Sequence, residues 1–310
     1  MISILKNTAN GLETLPDIIP NCWIDVVDPT PEEVARLQHE LNAPPDFVTH
    51  PLDLDERART EKEDGALLIV LRVPYFQGQG ADVPYTTVPL GIIHTPTLIA
   101  TICKTQNGVM HELVGGRVRG LSTAKRNRFV LHLLLLTAQK YLAYLREINK
   151  SVDALEDRLQ VSLKNKEVLE LLKYQKSLTY FTTALKQNEL MMQRLQRSHL
   201  FEMYPDDEDL LEDVLTEIQQ ALEMTNISGN ILSQMMDAFA SIISNNLNVV
   251  MKFLASVTIV LSIPTIVASF YGMNVGLPFQ DHPLAFMLTL GIALGIAVLV
   301  VILFWKKDWF

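Results

Sequence analysis

Two long uncharged apolar runs near the C-terminus constrain this chain more than any other feature. The first extends from Leu254 to Tyr271 and the second from Leu284 to Trp305, and neither contains a charged side chain. A helix rises ~1.5 Å per residue, so each run can cross roughly 30 Å of hydrocarbon. The sequence therefore predicts two membrane-spanning helices joined by a short loop.

The charges that flank these runs predict their orientation. Lys252 precedes the first run, Lys306 and Lys307 follow the second, and the loop between the runs contains neither Lys nor Arg. The only charges in this loop are Asp281 and, when protonated, His282. Cytoplasmic flanks of membrane spans are enriched in Lys and Arg. We therefore expect a protein of the inner (cell) membrane with both termini in the cytoplasm and a short extracytoplasmic loop.

The remainder of the chain is acidic. Of the 26 Lys and Arg residues three lie beyond residue 248, and of the 35 Asp and Glu residues two do, so residues 1–248 carry a net charge of −10. Nucleic-acid binding requires Lys and Arg to neutralise phosphates, so this balance argues against a nucleic-acid partner and favours cations. An acidic surface that only keeps a cytosolic domain soluble is the alternative.

Motifs for enzyme chemistry are missing from the sequence. There is no GxxxxGK[ST] phosphate loop and no HExxH metal site, and the seven His residues are scattered without ligand spacing. Cys22 and Cys103 are isolated thiols, which predicts two reduced and buried side chains. We expect a protein that is not an enzyme and that uses no organic cofactor.

Residues 1–123 mix strand and helix patterns and predict an α+β cytosolic domain. Thr30-Pro31-Glu32-Glu33 combines an N-cap, a proline in the first turn and a capping-box acid, so it predicts a helix to about Leu41. We expect a mixed or antiparallel sheet with a hydrophobic face covered by helices. Its strands are predicted from runs of β-type residues at 22–27, 66–73, 86–94 and 98–103.

Long helices are predicted over residues 124–248, which we interpret as a stalk region. Apolar residues recur every three or four positions over 131–159, and a second helix is expected over 166–200. A third helix would begin near Asp206 and continue to about Phe270, with Gly229 as its one helix-weakening residue. At 1.5 Å per residue this helix is ~98 Å long, and because it cannot bury its own apolar stripe we expect oligomerisation.

Small or polar residues follow one face of this third helix into the first apolar run. A stripe of this kind can line a wet pore, or it can pack against another helix through its small residues. Together with the acidic stalk and the Asn that follows the span, it favours a pore. Gly291-xxx-Gly295 in the second run instead predicts a close-packing face. The stripe consists of Ser241, Asn245, Asn248, Met251, Ala255, Thr258, Ser262, Thr265 and Ser269, at steps of three and four residues.

Rings of neutral oxygen ligands would suit a hydrated divalent cation. Mg²⁺ dehydrates reluctantly and usually keeps several waters, so a channel for it should hold those waters with carbonyl, amide and hydroxyl oxygens. A K⁺-type filter would need a TVGYG-like loop, which is absent from the sequence. Several copies of Asn274 at a helix end would present amide oxygens to an arriving ion, although a single Asn after a helix is also an ordinary turn residue.

Tyr271-Gly272-Met273-Asn274, the second span and the Lys306-Lys307-x-Trp309 ending together resemble the CorA family of magnesium channels. Trp23-Ile24-Asp25 and His50-Pro51-Leu52 also lie where that family has similar short motifs. The resemblance covers essentially the whole chain and implies a homopentameric funnel. Its parts would be an N-terminal domain (1–123), a stalk (124–248), a pore-lining span (249–271), a loop (272–283), a second span (284–305) and a basic tail (306–310).

The resemblance also implies roles for individual residues. Tyr271, Gly272, Met273 and Asn274 would form the selectivity filter, and Asp237 an acidic ring at the cytosolic mouth. Asp55, Glu56 and Asp213 match positions that hold regulatory metal between subunits. Among the pore-lining residues, Met251 and Leu254 would form a hydrophobic constriction, and Thr258 and Ser262 are added from the polar stripe and not from the resemblance. The predicted pore lining is Asn248, Met251, Leu254, Thr258, Ser262 and Thr265.

The function implied is uptake of Mg²⁺, with Co²⁺ and Ni²⁺ as further candidates, driven by the membrane potential and gated by intracellular Mg²⁺. The partners would be other copies of the chain, membrane lipid and divalent cations. Val275 to Phe279 is neutral where many family members are acidic, which leaves the choice of ion open. A ZntB-like Zn²⁺ transporter is one alternative, although Met273 favours the magnesium branch. A membrane-anchored sensor or scaffold without transport is the other.

Overall fold

A computed structural model describes residues 1–8, 11–116, 118, 120–161, 165–198, 205–276, 278, 283–307 and 309. The chain divides into two compact units, Met1–Gln234 and Met235–Phe310. Asp281 and His282, the charges predicted for the extracytoplasmic loop, lie outside the described residues.

A seven-stranded mixed sheet forms the centre of the first unit. The strand order is β2-β1-β3-β7-β6-β5-β4, and β3 pairs with β7 in parallel while every other neighbouring pair is antiparallel. The mixed sheet predicted from the sequence is therefore confirmed. The strands are β1 (Ile2–Thr8), β2 (Gly11–Leu15), β3 (Trp23–Val27), β4 (Arg59–Glu63), β5 (Ala66–Phe76), β6 (Tyr85–His94) and β7 (Ile99–Cys103).

Three of these strands, β1, β2 and β4, were not predicted from the sequence. β4 reads Arg-Thr-Glu-Lys-Glu and lies at one edge of the sheet, while β2 lies at the other. Edge strands need few apolar residues, and charged side chains there protect the edge from pairing with other chains. The hydrophobic patterns of β2 and β4 are therefore too weak to identify these strands without the sheet, whereas β1 lies between β2 and β3 and is not an edge strand.

Helices cover both faces of the sheet, whereas the sequence suggested one covered face. Side chains alternate between faces along a strand. In β5, Leu67, Ile69 and Leu71 enter one core, and Leu68 and Val70 enter the other. Burial on both faces explains why the middle of β5 is continuously apolar. The first core includes residues of α3 (Gly108–Val114), α4 (Arg126–Val161) and α5 (Asn165–Arg197), and the second includes α1 (Pro31–Leu41) and α2 (Pro45–Thr49).

The predicted start of α1 is confirmed in detail. Thr30 is the N-cap, its hydroxyl accepts a hydrogen bond from the Glu33 N–H, and the Glu33 carboxylate accepts one from the Thr30 N–H. This reciprocal pair satisfies two of the donors that a helix start leaves unpaired. The cap helps fix where α1 begins above the sheet.

The third long helix, α6 (Pro205–Tyr271), is continuous, and α7 (Ala285–Lys306) follows it. Both are long and apolar enough to cross a membrane. The prediction that Gly229 is the one helix-weakening residue of α6 is wrong, because Pro264 also lies inside the helix. A proline has no N–H to donate to the carbonyl of Val260. Helix-breaking residues of this kind are tolerated in membrane helices, where neighbouring groups can pair with the freed carbonyl.

The His50-Pro51-Leu52 motif forms a single 3₁₀ turn that packs on the centre of the sheet. Pro51 is buried above Gly91 of β6. A Cβ atom at position 91 would lie 2.1 Å from Pro51 Cγ and 2.7 Å from Pro51 Cβ. The proline ring therefore occupies the space that any side chain at position 91 would need. This contact fixes the start of the acidic loop that follows, residues 53–57.

We predict that Gly91→Ala destabilises the full-length protein by about 1–3 kcal/mol, because the rigid Pro51 ring must shift to admit the new methyl group. The thermal unfolding midpoint in detergent measures this. Gly80→Ala is the matched control, since nothing lies within 4 Å of a Cβ there. Equal midpoints for the two variants would show that the Pro51 contact is loose.

Trp23-Ile24-Asp25 contains a short buried chain of hydrogen bonds. The Trp23 indole N–H donates to the Thr101 hydroxyl oxygen (2.8 Å), and that hydroxyl donates to Asp25 Oδ1 (3.0 Å). Burial raises the pKa of Asp25 to about 6, although the Thr101 hydrogen bond and the N-terminal amine act in the opposite direction. Compared with the unfolded chain, the folded protein therefore favours the protonated form of the Asp25 carboxyl.

The sign of the resulting pH dependence follows from this raised pKa. In an unfolded chain Asp titrates near 3.9, so between about pH 4 and 6 the folded state holds a proton that the unfolded state has released. Stability contributed by Asp25 is therefore lost as the pH rises through this window. We predict that Asp25→Asn stabilises the protein at pH 7 by about 2 kcal/mol and changes little at pH 4.

Thermal midpoints of the full chain at the two pH values test this prediction. Asp28→Asn is the control, because Asp28 is exposed and its partner Lys104 lowers rather than raises its pKa. It should bring no gain at pH 7. A gain from Asp25→Asn of the same size at both pH values would mean that ionisation of Asp25 is not the cause.

Candidate functional site

The end of α6 and the whole of α7 lie in the second unit, and a cleft between them identifies their facing sides. The cleft is lined by Pro264, Val267 and Ala268 of α6 and by Thr289 and Ala293 of α7, among others. Within the apolar run from Leu254 to Tyr271, the residues with reduced exposure share this side of the helix. They are Ser256, Val257, Val260, Ile263, Pro264 and Val267.

Small residues of α7 are buried, but they are not the glycines that the sequence suggested. Ala293 and Ala297 are 4% and 8% exposed. A Cβ atom at Gly291 or Gly295 would meet nothing within 4 Å. Gly291 and Gly295 therefore do not pack against α6 within the chain, where the neighbouring alanines form the contact, and a packing face towards another helix stays a prediction.

The polar stripe of α6 lies on the side opposite α7. At about 100° per residue, Thr258, Ser262 and Thr265 project roughly half a turn away from Val260 and Val267. All nine stripe residues from Ser241 to Ser269 are exposed in the chain. The stripe is therefore not used for packing within the second unit. Within a single chain this excludes helix packing, which was one of the two roles predicted for the stripe.

The hydroxyl groups of the stripe donate to their own helix. Thr258 Oγ1 donates to the Leu254 carbonyl (2.8 Å), Ser262 Oγ to the Thr258 carbonyl (2.7 Å) and Thr265 Oγ1 to the Leu261 carbonyl (3.3 Å). The proton of each hydroxyl is thus engaged, and the oxygen keeps its lone pairs for an outside donor. An array of such acceptors suits water molecules oriented by a cation.

Two large apolar side chains lie along the stripe: Met251, which belongs to it, and Leu254 beside it. Met251 and Leu254 are 56% and 57% exposed and lie between Asn248 and Thr258. Exposed apolar side chains on a face with amides and hydroxyls are costly in water unless other copies cover them. Their position fits the predicted hydrophobic constriction, with Asp237 exposed further towards the N-terminus of α6.

The Tyr271-Gly272-Met273-Asn274 segment ends α6. The helix terminates at Tyr271, after which the Gly272 N–H donates to the Ala268 carbonyl (2.9 Å) and the Met273 N–H to the Phe270 carbonyl (3.2 Å). A Cβ at Gly272 would lie 3.3 Å from the Ala268 oxygen, so the tight turn favours glycine. Asn274 follows as an exposed residue beyond the helix. A helix C-terminus carries partial negative charge, which attracts cations.

The acidic loop, residues 53–57, carries the first two predicted regulatory ligands in different environments. The Glu56 carboxylate is paired with Arg59 and accepts the Arg57 N–H (3.1 Å). The side chain of Asp55 is exposed, and its N–H donates to Asp53 Oδ1 (3.0 Å). The predicted ligands are therefore not equivalent, because Glu56 already has a cationic partner.

Asp213, the third predicted regulatory ligand, is exposed on α6. In the part of the chain that the structure describes, no three His, Cys, Asp or Glu side chains converge to hold a metal ion. Sequence reasoning also missed Arg59 and Arg72, which contact the acidic loop. The signal for Arg72 was present, since it is a charged residue inside the apolar run of β5.

Comparison with known proteins gives a consistent result. The profile of the CorA family, described as CorA-like Mg²⁺ transporter protein, matches residues 20–307. The cobalt/magnesium transport protein CorA of Methanocaldococcus jannaschii is 27% identical over 292 residues, which cover 93% of this chain and 90% of the relative.

Two solved structures share the fold. The complete structure of the CorA magnesium transporter from Methanocaldococcus jannaschii has a TM-score of 0.86 at 24% identity and covers 100% of this chain and 99% of that one. The ZntB cytoplasmic domain from Vibrio parahaemolyticus has a TM-score of 0.62 at 12% identity and covers 78% of this chain and 98% of that one. The first likeness includes the long helices and both candidate spans.

The family match includes strands β3 to β7, the long helices and the segment that ends α6. It runs from just before β3 to the basic residues that follow α7. Since this is nearly the whole chain, the protein belongs to the CorA family.

Proposed function

We propose that this protein is a channel for divalent metal cations that mediates Mg²⁺ uptake across the cytoplasmic membrane. The observation that carries the proposal is the polar stripe of α6, which lies opposite α7, is unburied within the chain and leads to Gly272 and Asn274. Family membership and the names of the relatives, which describe cobalt and magnesium transport, support the choice of substrate.

Several copies are needed to turn one exposed stripe into a pore. A homopentamer embedded in lipid would place five stripes around an axis, with both termini of each chain in the cytoplasm. Lys252, Lys306 and Lys307 support this orientation, since they flank the spans and the positive flanks of membrane proteins remain inside. Two helices of one chain do not enclose a passage, because the stripe and α7 lie on opposite sides of α6.

The chemistry of the stripe suits an ion that keeps its water. Asn274 amide oxygens and the polarised carbonyls at the end of α6 would accept hydrogen bonds from the waters of arriving Mg²⁺. Thr265, Ser262 and Thr258 would then offer lone pairs at successive turns. Met251 and Leu254 would form a constriction that blocks conduction when it dewets. Asp237 would attract the ion at the cytosolic mouth.

Transport would need no chemical energy source. The membrane potential contributes about 2.3 kcal/mol per charge per 100 mV, hence about twice that for a divalent ion. Intracellular Mg²⁺ would close the channel by binding between subunits at Asp55, Glu56 and Asp213, since it would screen carboxylates that otherwise repel. Such control requires that the ion bind one state more tightly than the other.

We predict that Asn274→Ala reduces Mg²⁺ flux into liposomes at least about tenfold, because it removes the amide oxygens that hold the hydrated ion. Fluorescent Mg²⁺ indicator in the lumen measures the flux. Asn226→Ala, an exposed position on the cytosolic part of α6, is the control. A scaffold without transport would show no flux in any of the three proteins. Competition by Co²⁺, Ni²⁺ and Zn²⁺ in this assay identifies the preferred ion.

Water contact along the stripe gives a second prediction. Ser262→Cys should react with a charged thiol reagent and lose flux on modification, because a thiolate forms only where water is present. Ser256→Cys on the α7 side should remain unmodified, since Ser256 is fully buried. Cys22 and Cys103 are buried and give little background. An unreactive Ser262→Cys in a transporting protein would place the conducting path elsewhere.

A further inference from the structure

A charged side chain lies inside the sheet of the first unit. Arg72 of β5 belongs to an otherwise apolar run, and its guanidinium makes a complete set of hydrogen bonds. Nη1 donates to the carbonyls of Leu54 (2.6 Å) and Glu56 (2.9 Å). Nη2 donates to the Thr87 carbonyl (2.7 Å) and, with Nε, to the Thr87 hydroxyl (3.0 and 3.2 Å). The planar fork of Arg thus joins the acidic loop to β6.

The backbone of Arg72 is fixed from the other side by helices. Its N–H donates to Asn188 Oδ1 of α5 (2.9 Å), and its carbonyl accepts from Asn188 Nδ2 (2.8 Å) and from the Tyr141 hydroxyl of α4 (2.9 Å). The pairing of β4 with β5 stops at Arg59 and Val70. Asn188, which is 1% exposed, therefore replaces the missing strand and holds the edge of β5 at Arg72.

The two loop carbonyls bonded by Arg72 lie on either side of Asp55. Leu54 precedes Asp55 and Glu56 follows it, so the guanidinium fixes the backbone around this exposed carboxylate. At the start of the loop, Pro51 is seated on Gly91. The loop is thus anchored at both ends, although it contains no regular structure.

The electrostatic setting agrees with this geometry. Burial lowers the pKa of Arg72, whereas Tyr141 and then the carboxylates of Asp55 and Glu56 raise it. A guanidinium remains charged in proteins. Its positive charge is therefore close enough to the loop carboxylates to interact with them while its hydrogen bonds are made to carbonyl and hydroxyl oxygens rather than to either carboxylate. This leaves Asp55 available to a second cation.

We propose that Arg72 is a positioning residue for cation sensing, which holds the acidic loop so that Asp55 is presented to a divalent ion. The inference rests on the regulatory part of the proposed function. It goes further because it assigns the geometry of the sensing carboxylate to a half-buried arginine that does not touch the ion. Asn188 and Thr87 fix this arginine in turn.

The test uses full-length protein in detergent and measures protection from trypsin as a function of Mg²⁺ concentration. Arg72→Lys keeps the charge but loses the fork, so we expect the Mg²⁺ concentration for half-protection to rise about fivefold or more. Asp55→Asn should raise it too. The double variant should be no worse than Asp55→Asn alone, because Arg72 acts only through the position of Asp55. Arg36→Lys, in an exposed ion pair with Glu40, should match the wild type.

Thr87→Val is a second variant in case Arg72→Lys does not fold. It removes only the hydroxyl that accepts from the guanidinium, and it should shift half-protection in the same direction by a smaller factor. A folded Arg72→Lys with the wild-type midpoint would overturn the inference. Additive shifts in the double variant would also overturn it, since they would indicate general destabilisation. Wild-type protein without Mg²⁺-dependent protection would instead contradict the proposed regulation itself.

Discussion

A polar side chain in a membrane helix must find a partner, and this constraint governs the end of α6. Thr258, Ser262 and Thr265 satisfy their protons on carbonyls of their own helix, so they need no second helix to donate to. Their oxygens remain free to accept from outside. Because α7 packs on the opposite side, the proposed channel depends on this division of one helix into a packing side and an accepting side.

In the proposed regulation, the first unit would hold carboxylates on a rigid frame. Both faces of its sheet are buried under helices, so the strands can anchor surface loops firmly. The acidic loop is tied to that frame by Pro51 and by Arg72. Glu56 is already paired with Arg59, which makes Asp55 the exposed carboxylate of the predicted pair. In the proposed regulation, this fixed backbone would let the loop respond to a change in cation concentration.

Where sequence reasoning failed, the missing information was tertiary. β4 is charged and is identified only by its pairing with β5, and β2 is a similarly weak signal at the other edge of the sheet. β1 is identified by its pairing with both β2 and β3. The Gly291-xxx-Gly295 spacing resembled a packing motif, yet Ala293 and Ala297 face inward. Small residues at helical spacing occur on more than one side of α7, so the pattern could not identify which side meets α6. Pro264 is an exception, because the sequence itself shows it and the helix continues through it within a strongly apolar run.

The sequence by itself determined the two spans, the start of α1, the long helices and the Gly272-Met273-Asn274 end of α6. These features depend on local periodicity, charge and capping, which neighbouring residues encode. Only the tertiary structure decided that the polar stripe points away from α7, that Pro51 occupies the space above Gly91, and that Arg72 holds the acidic loop. Those contacts join residues far apart in the chain, and the packing of the sheet and helices brings them together.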